Sequence, residues 1–193
     1  MKNTAFLVPV IAAAFAASAA PVRPYELDWA GRTEDDTPAL CALEDFTGWR
    51  TETENAEASL SRSPDNLLFG AGTARVTYRA TGAAPVVRIL PPAPVAITGR
   101  IDAVSLWVCG NVSPAHHPDP STPITEIDVE FAGKDGKRFS VPLAYNNHLD
   151  WFKEYRMLSA DEAGRVSNGG AFLGFTLRKG TNRENRTLDL NRF

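Results

Sequence analysis

The chain is poor in the residues that staple a fold or hold a transition metal. Its 193 residues include two cysteines, three histidines and two methionines. Cys41 and Cys109 allow at most one disulfide, which excludes a disulfide-dense scaffold. The sequence leans towards two unbridged thiols, because Cys109 falls inside an apolar segment that reads as a central strand. Adjacent His116 and His117 have Asp119 nearby, but His148 is too remote for any metal-ligand spacing. No charge of one sign dominates, with 20 Lys and Arg against 23 Asp and Glu. A mildly acidic balance argues against nucleic acid as a partner. After the first twenty residues no long apolar run follows, so no membrane span is expected. Neither a nucleophile elbow nor a lyase-like cluster of Arg, Gln, His and Tyr on successive strands is present. Carboxylates such as Asp128 and Glu130 are spaced as on any polar strand face, and none is marked as a glycosidase pair. No catalytic residue is therefore assigned, and the sequence argues against an enzyme.

What is there begins with an export signal. Lys2, the apolar stretch 5–17 and Ala17-Ser18-Ala19 match the charged start, apolar centre and small-x-small cleavage site of a signal peptide over residues 1–19. Cleavage there removes Lys2 and no acid, which takes the formal charge from −3 to −4. The mature chain is expected to be secreted, in a periplasmic or extracellular setting. Residues 20–38 are rich in Pro, Asp and Glu and read as an extended lead-in. Residues 39–193 read as one domain of short strands.

Alternation of apolar and polar residues places strands at 58–63, 73–80 and 86–90, with a first strand at 40–46. Residues 101–110 are apolar on both faces. In 124–131, Ile127, Val129 and Phe131 share one face and Asp128 and Glu130 the other. Asp135-Gly136 carries a hairpin signal before a return strand at 139–143. Further strands fall at 151–158, 172–178 and 186–193. Ser159 with Glu162 three residues later makes a capping box for one short helix ending near Gly164. About ten short strands and one helix predict an all-β fold: a two-sheet antiparallel β-sandwich or jelly roll.

Four stretches sharpen this reading: residues 24–32 (PYELDWAGR), 43–49 (LEDFTGW), 104–111 (VSLWVCGN) and 180–186 (GTNRENR). With the 119–123 loop, they make the chain from 24 to 193 resemble the carbohydrate-binding-module-like, galactose-binding jelly-roll domain at the N-terminus of secreted carbohydrate-active proteins. The resemblance implies a non-catalytic module that binds a poly- or oligosaccharide. Similar modules sit before further domains, so the alternative is a structural sandwich packed on an adjacent domain. A polysaccharide lyase or hydrolase is the remaining alternative. Such sandwiches often hold a structural calcium where the first and last strands meet, which implies Glu44 with Asp189 or Asn191. Asp189 and Asn191, two apart, share a strand face, and Asn191 stands where an acid is often found. No other cofactor is implied. Tyr145, His148, Trp151 and Tyr155 cluster around one strand and its approach. They are the candidate sugar-stacking residues, with Trp151 and Tyr155 expected on one face. Trp49 and Trp107 read as core.

Overall fold

The computed structural model describes residues 39–64, 66–110, 125–146 and 150–193, with backbone alone at 145 and 146. The predicted signal peptide, the lead-in and the 111–124 loop lie outside these residues. Among the described residues, eleven strands form two sheets: β1 (Arg50–Glu54), β2 (Ala56–Ser63), β3 (Thr73–Ala80), β4 (Val86–Leu90), β5 (Val95–Ile97), β6 (Ala103–Gly110), β7 (Thr125–Ala132), β8 (Arg138–Asn146), β9 (Phe152–Met157), β10 (Gly170–Arg178) and β11 (Arg186–Asn191). The first sheet runs β1-β4-β10-β7-β8, with β5 beside β10; the second runs β2-β3-β11-β6-β9. All pairings are antiparallel. This is the predicted sandwich: the chain crosses repeatedly between the sheets, while β2 and β3, β4 and β5, and β7 and β8 follow one another within a sheet.

The alternating pattern builds the core directly. Val76, Leu106, Val108, Leu188 and Leu190 face inward from one sheet, and Ile89, Ile127, Val129, Phe131 and Val141 from the other. Phe172 and Phe175 are three apart yet both buried at 0 % exposure. A bulge between Phe172 and Gly174 makes this work. Gly174 sits at φ +138°, and a Cβ there would overlap the Ile89 carbonyl. The two rings then close on Phe193, with centroids 4.6 and 5.1 Å away.

Three local readings need correction. Residues 40–46 do not form a strand: Leu43 takes φ +60°, and Thr47 N–H donates to Asp45 Oδ1 at 2.9 Å to start a turn. The chain there pairs only briefly with the C-terminus, Cys41 and Phe193 exchanging hydrogen bonds of 2.8 and 2.9 Å. β1 was not foreseen, because its sequence RTETE has no apolar position. It exists as an edge strand fixed by pairing with β4 alone. Helix α1 (Ala160–Val166) has the predicted capping box, Ser159 N–H donating to Glu162 Oε2 at 2.8 Å and Glu162 N–H to Ser159 Oγ at 3.2 Å. It runs past Gly164, since Val166 is fully buried against the core.

The outer face of the second sheet is not bare. The loop joining β2 to β3 lies over it, with Phe69 packed edge-on against Trp107 at 5.7 Å. Trp107 is therefore buried although it points away from the sandwich interior, while Trp49 is half-buried beside Phe46. The outer face of the first sheet carries charged and polar side chains.

Candidate functional site

On β7, residues 126, 128 and 130 point outward because 127, 129 and 131 are in the core. Three carboxylates thus line up along one central strand. The neighbouring β10 answers with Thr176 and Arg178, whose registers oppose Asp128 and Glu126. Arg178 Nε meets Asp128 Oδ2 at 2.9 Å, and its Nη2 lies 3.5 Å from Glu130 Oε1. Thr176 Oγ1 donates to the same Glu130 oxygen at 2.8 Å, and Lys179 Nζ reaches Glu126 at 2.6 Å. One strand further, Arg88 is paired with Glu54 at 3.2 Å. The acids are held in fixed orientations by cations on the next strand. Asp128 is the most enclosed of the three at 7 % exposure. Burial pushes its carboxyl above the ordinary value, against the opposing pull of Arg178. A carboxylate short of solvent in a polar sheet face is a strong acceptor for ligand hydroxyls. Sequence alternation marked Asp128 and Glu130 as outward, but which cations face them is set by strand pairing.

The described residues place only part of the aromatic cluster. Tyr145 lies on β8 in register with Glu126. His148 lies outside the described residues. Tyr155 belongs to the other sheet, opposite Ser105 on β9, and is 70 % exposed. Trp151 precedes β9 rather than standing within it and is buried at 5 % exposure, although it is not part of the core cluster between the sheets. Its indole N–H finds no partner among the described residues.

The proposed cation ligands also separate. Asp189 is committed to Arg75, whose Nε and Nη2 donate to its two oxygens at 2.8 and 2.9 Å. Asn66 Nδ2 donates to the Oδ2 of Asp189 at 2.9 Å. Asn191 and Glu44 instead share the β2–β3 loop. Asn191 Nδ2 lies 3.3 and 3.5 Å from the carbonyls of Phe69 and Gly72. Glu44 Oε2 accepts from Ala71 N–H at 3.1 Å. Its carboxylate fills the space beside Gly70, which sits at φ +66° and has no room for a Cβ. Asn191 is fully buried, and its Oδ1 has no hydrogen-bond partner among the described residues. One carboxylate, one orphaned amide oxygen and two carbonyls therefore gather at this loop. The described residues contain no cluster of three His, Cys, Asp or Glu fit to hold a metal. No disulfide joins Cys41 and Cys109. Burial pushes the Cys41 thiol up to about 11 and also raises that of Cys109, beside Asn66.

No family model matches the chain, and no curated protein matches it in sequence. Solved structures do. A structure from work on promiscuous specificity in carbohydrate-binding modules of the β-sandwich superfamily is 10 % identical at TM-score 0.53, covering 77 % of this chain and 57 % of its own length. A β-1,2-glucanase from Parabacteroides distasonis is 14 % identical at TM-score 0.53, covering 80 % of this chain. The likeness spans only 24 % of the glucanase. A family 11 carbohydrate-binding module of a Clostridium thermocellum cellulosomal cellulase is 10 % identical at TM-score 0.46, over 80 % of this chain and 91 % of the module. Identities this low speak to architecture alone, and by architecture the chain has the β-sandwich jelly-roll fold of carbohydrate-binding modules.

Proposed function

We propose that the protein is an exported, non-catalytic module that binds a poly- or oligosaccharide on the outer face of its first sheet. The observation that carries this reading is the row Glu126, Asp128 and Glu130, oriented by Thr176, Arg178 and Lys179 on an open sheet face. Sugar hydroxyls are paired donors and acceptors, and an ordered array of carboxylates and guanidinium groups complements them. Each acid is held by a cation or a hydroxyl, which suits a binding surface better than a general acid poised for transfer. Among the described residues no helix is long and apolar enough to cross a membrane. The test is isothermal titration against a panel of plant, fungal and bacterial polysaccharides. Binding to at least one member that weakens at least about tenfold in Asp128→Ala and Arg178→Ala is expected. No binding across the panel, by a folded protein, overturns the reading.

Calcium at the Glu44 and Asn191 loop is part of the same proposal. Hard cations take oxygen ligands, and the Glu44 carboxylate and the orphaned Asn191 Oδ1 are both oxygen. The ion would satisfy the orphaned amide oxygen and tie the β2–β3 loop to the last strand. With Glu44 as the one carboxylate in the set, modest affinity is expected. Calcium should raise the melting temperature and a chelator should lower it; equal midpoints refute the site.

Packing against a neighbouring domain is the second reading. Phe152, Tyr155 and Met157 on edge strand β9 are 50 %, 70 % and 61 % exposed. Tyr155→Ala should leave glycan affinity unchanged, because the sugar is proposed on the other sheet; loss of affinity would move the glycan site to β9 and count against packing there.

A further inference from the structure

At one end of the charged sheet face the chain forms a groove of about 200 Å³. Leu90 from β4 and Leu173 from the β10 bulge supply apolar lining, and the proline-rich turn at 91–94 borders it. Arg50 and Glu52 enter from β1 and Arg138 from β8. Arg50 is already engaged: Nη1 donates to the Pro91 carbonyl at 3.4 Å, and Nε lies 3.4 Å from Glu52 Oε1. The Arg138 side chain has no ion pair and no hydrogen bond among the described residues. The groove therefore carries one net positive charge, on an exposed guanidinium, in a chain whose formal charge is −3. Drug-sized ligands occupy roughly 300–1,000 Å³, so this groove has room for about one sugar ring.

We infer that the groove takes an acidic sugar unit, a uronate within or at the end of the bound chain. The inference rests on the carbohydrate-binding reading and names its ligand class. The C–H face of the ring would lie on Leu90 and Leu173. The carboxylate would accept the paired N–H groups of Arg138, whose planar fork matches it. A neutral ring could cover the same apolar lining but would leave that guanidinium facing water.

The probe pair is trigalacturonate and its fully methyl-esterified form, which share one backbone and differ in charge. Trigalacturonate is expected to bind at least about tenfold tighter than the ester, and Arg138→Ala to abolish that difference. Arg138→Lys should keep part of it, because a point charge replaces the fork. Melting curves check that the exposed substitution leaves the fold intact. Equal affinity for acid and ester, or a preference that survives Arg138→Ala, overturns the inference and leaves the module reading standing. Failure of both trimers to bind also overturns it, and the polysaccharide panel then reports separately on the module reading.

Discussion

Replacing Asp189 by Asn tests whether this buried acid holds an arginine or a metal. Asp189 is 4 % exposed and accepts three charge-assisted hydrogen bonds at 2.8–2.9 Å, two from Arg75 and one from Asn66. Breaking a fully buried ion pair costs about 3–5 kcal/mol. Here the Arg75 side chain is 28 % exposed, so water recovers part of its solvation. The amide also keeps one acceptor oxygen. A loss of about 2–3 kcal/mol is the expected balance. For a domain of this size each kcal/mol shifts the midpoint by roughly 2–4 °C, giving a fall of roughly 5–10 °C. Urea unfolding at neutral pH measures the free energy, and thermal melting with calcium or chelator measures the ion's share. The Asp189→Asn protein should be weaker in both conditions while keeping the calcium-dependent shift; Glu44→Gln should lose that shift. A midpoint within about 2 °C of the parent refutes the ion-pair reasoning. Disappearance of the calcium shift in Asp189→Asn would instead make Asp189 a ligand and reverse the assignment.

Gly70→Ala should destabilise by about 1–2 kcal/mol from the left-handed backbone alone, at φ +66°. It should also remove calcium dependence, because the new methyl displaces the Glu44 carboxylate; melting with and without chelator checks both. Glu162→Gln should cost about 0.5 kcal/mol at neutral pH, because Gln keeps the capping box and only the charge facing Arg156 and the helix N-terminus is lost. Burial pushes the Glu162 carboxyl up, but hydrogen bonds from Ser159 and the Arg156 ion pair hold it below its usual 4.5. Its stabilisation is therefore present above the unfolded value and lost as pH falls through the lower folded one, so acid unfolding should be flatter in the variant. Asp128 has the opposite sign. Its raised carboxyl binds a proton more readily folded than unfolded, so it subtracts stability as pH rises through the window opening at 3.8. Urea midpoints across that window should show this slope in the parent and not in Asp128→Asn.

Several elements were legible in the chain because their information is local. β3 and β4 fall at the predicted residues, and the Asp135-Gly136 hairpin and Ser159 capping box form as read. In each case the side chain or turn residue that decides the conformation lies within a few positions. Elements without such a signal were missed. β1 has no apolar face and is a strand only because β4 offers it an edge. Residues 40–46 look apolar enough for a strand but turn at Leu43 and Asp45.

The site divides along the same line. Alternation along 126–130 alone determines that three acids point away from the core, since a strand has a period of two. That Arg178 and Thr176 stand opposite them depends on which strand lies next to β7, some fifty residues away in sequence. Equally, the two-residue spacing of Asp189 and Asn191 put them on one face, as observed. Only the fold decided that Asp189 meets Arg75 across the β3–β11 ladder while Asn191 meets the loop that holds Glu44. Trp151 and Tyr155 show the limit of spacing as evidence: they are four residues apart, yet one ring is buried and the other exposed. Outward direction is a property of the chain's own geometry. What each outward side chain meets is a property of strand order and register, which are fixed by burying the two inner faces together.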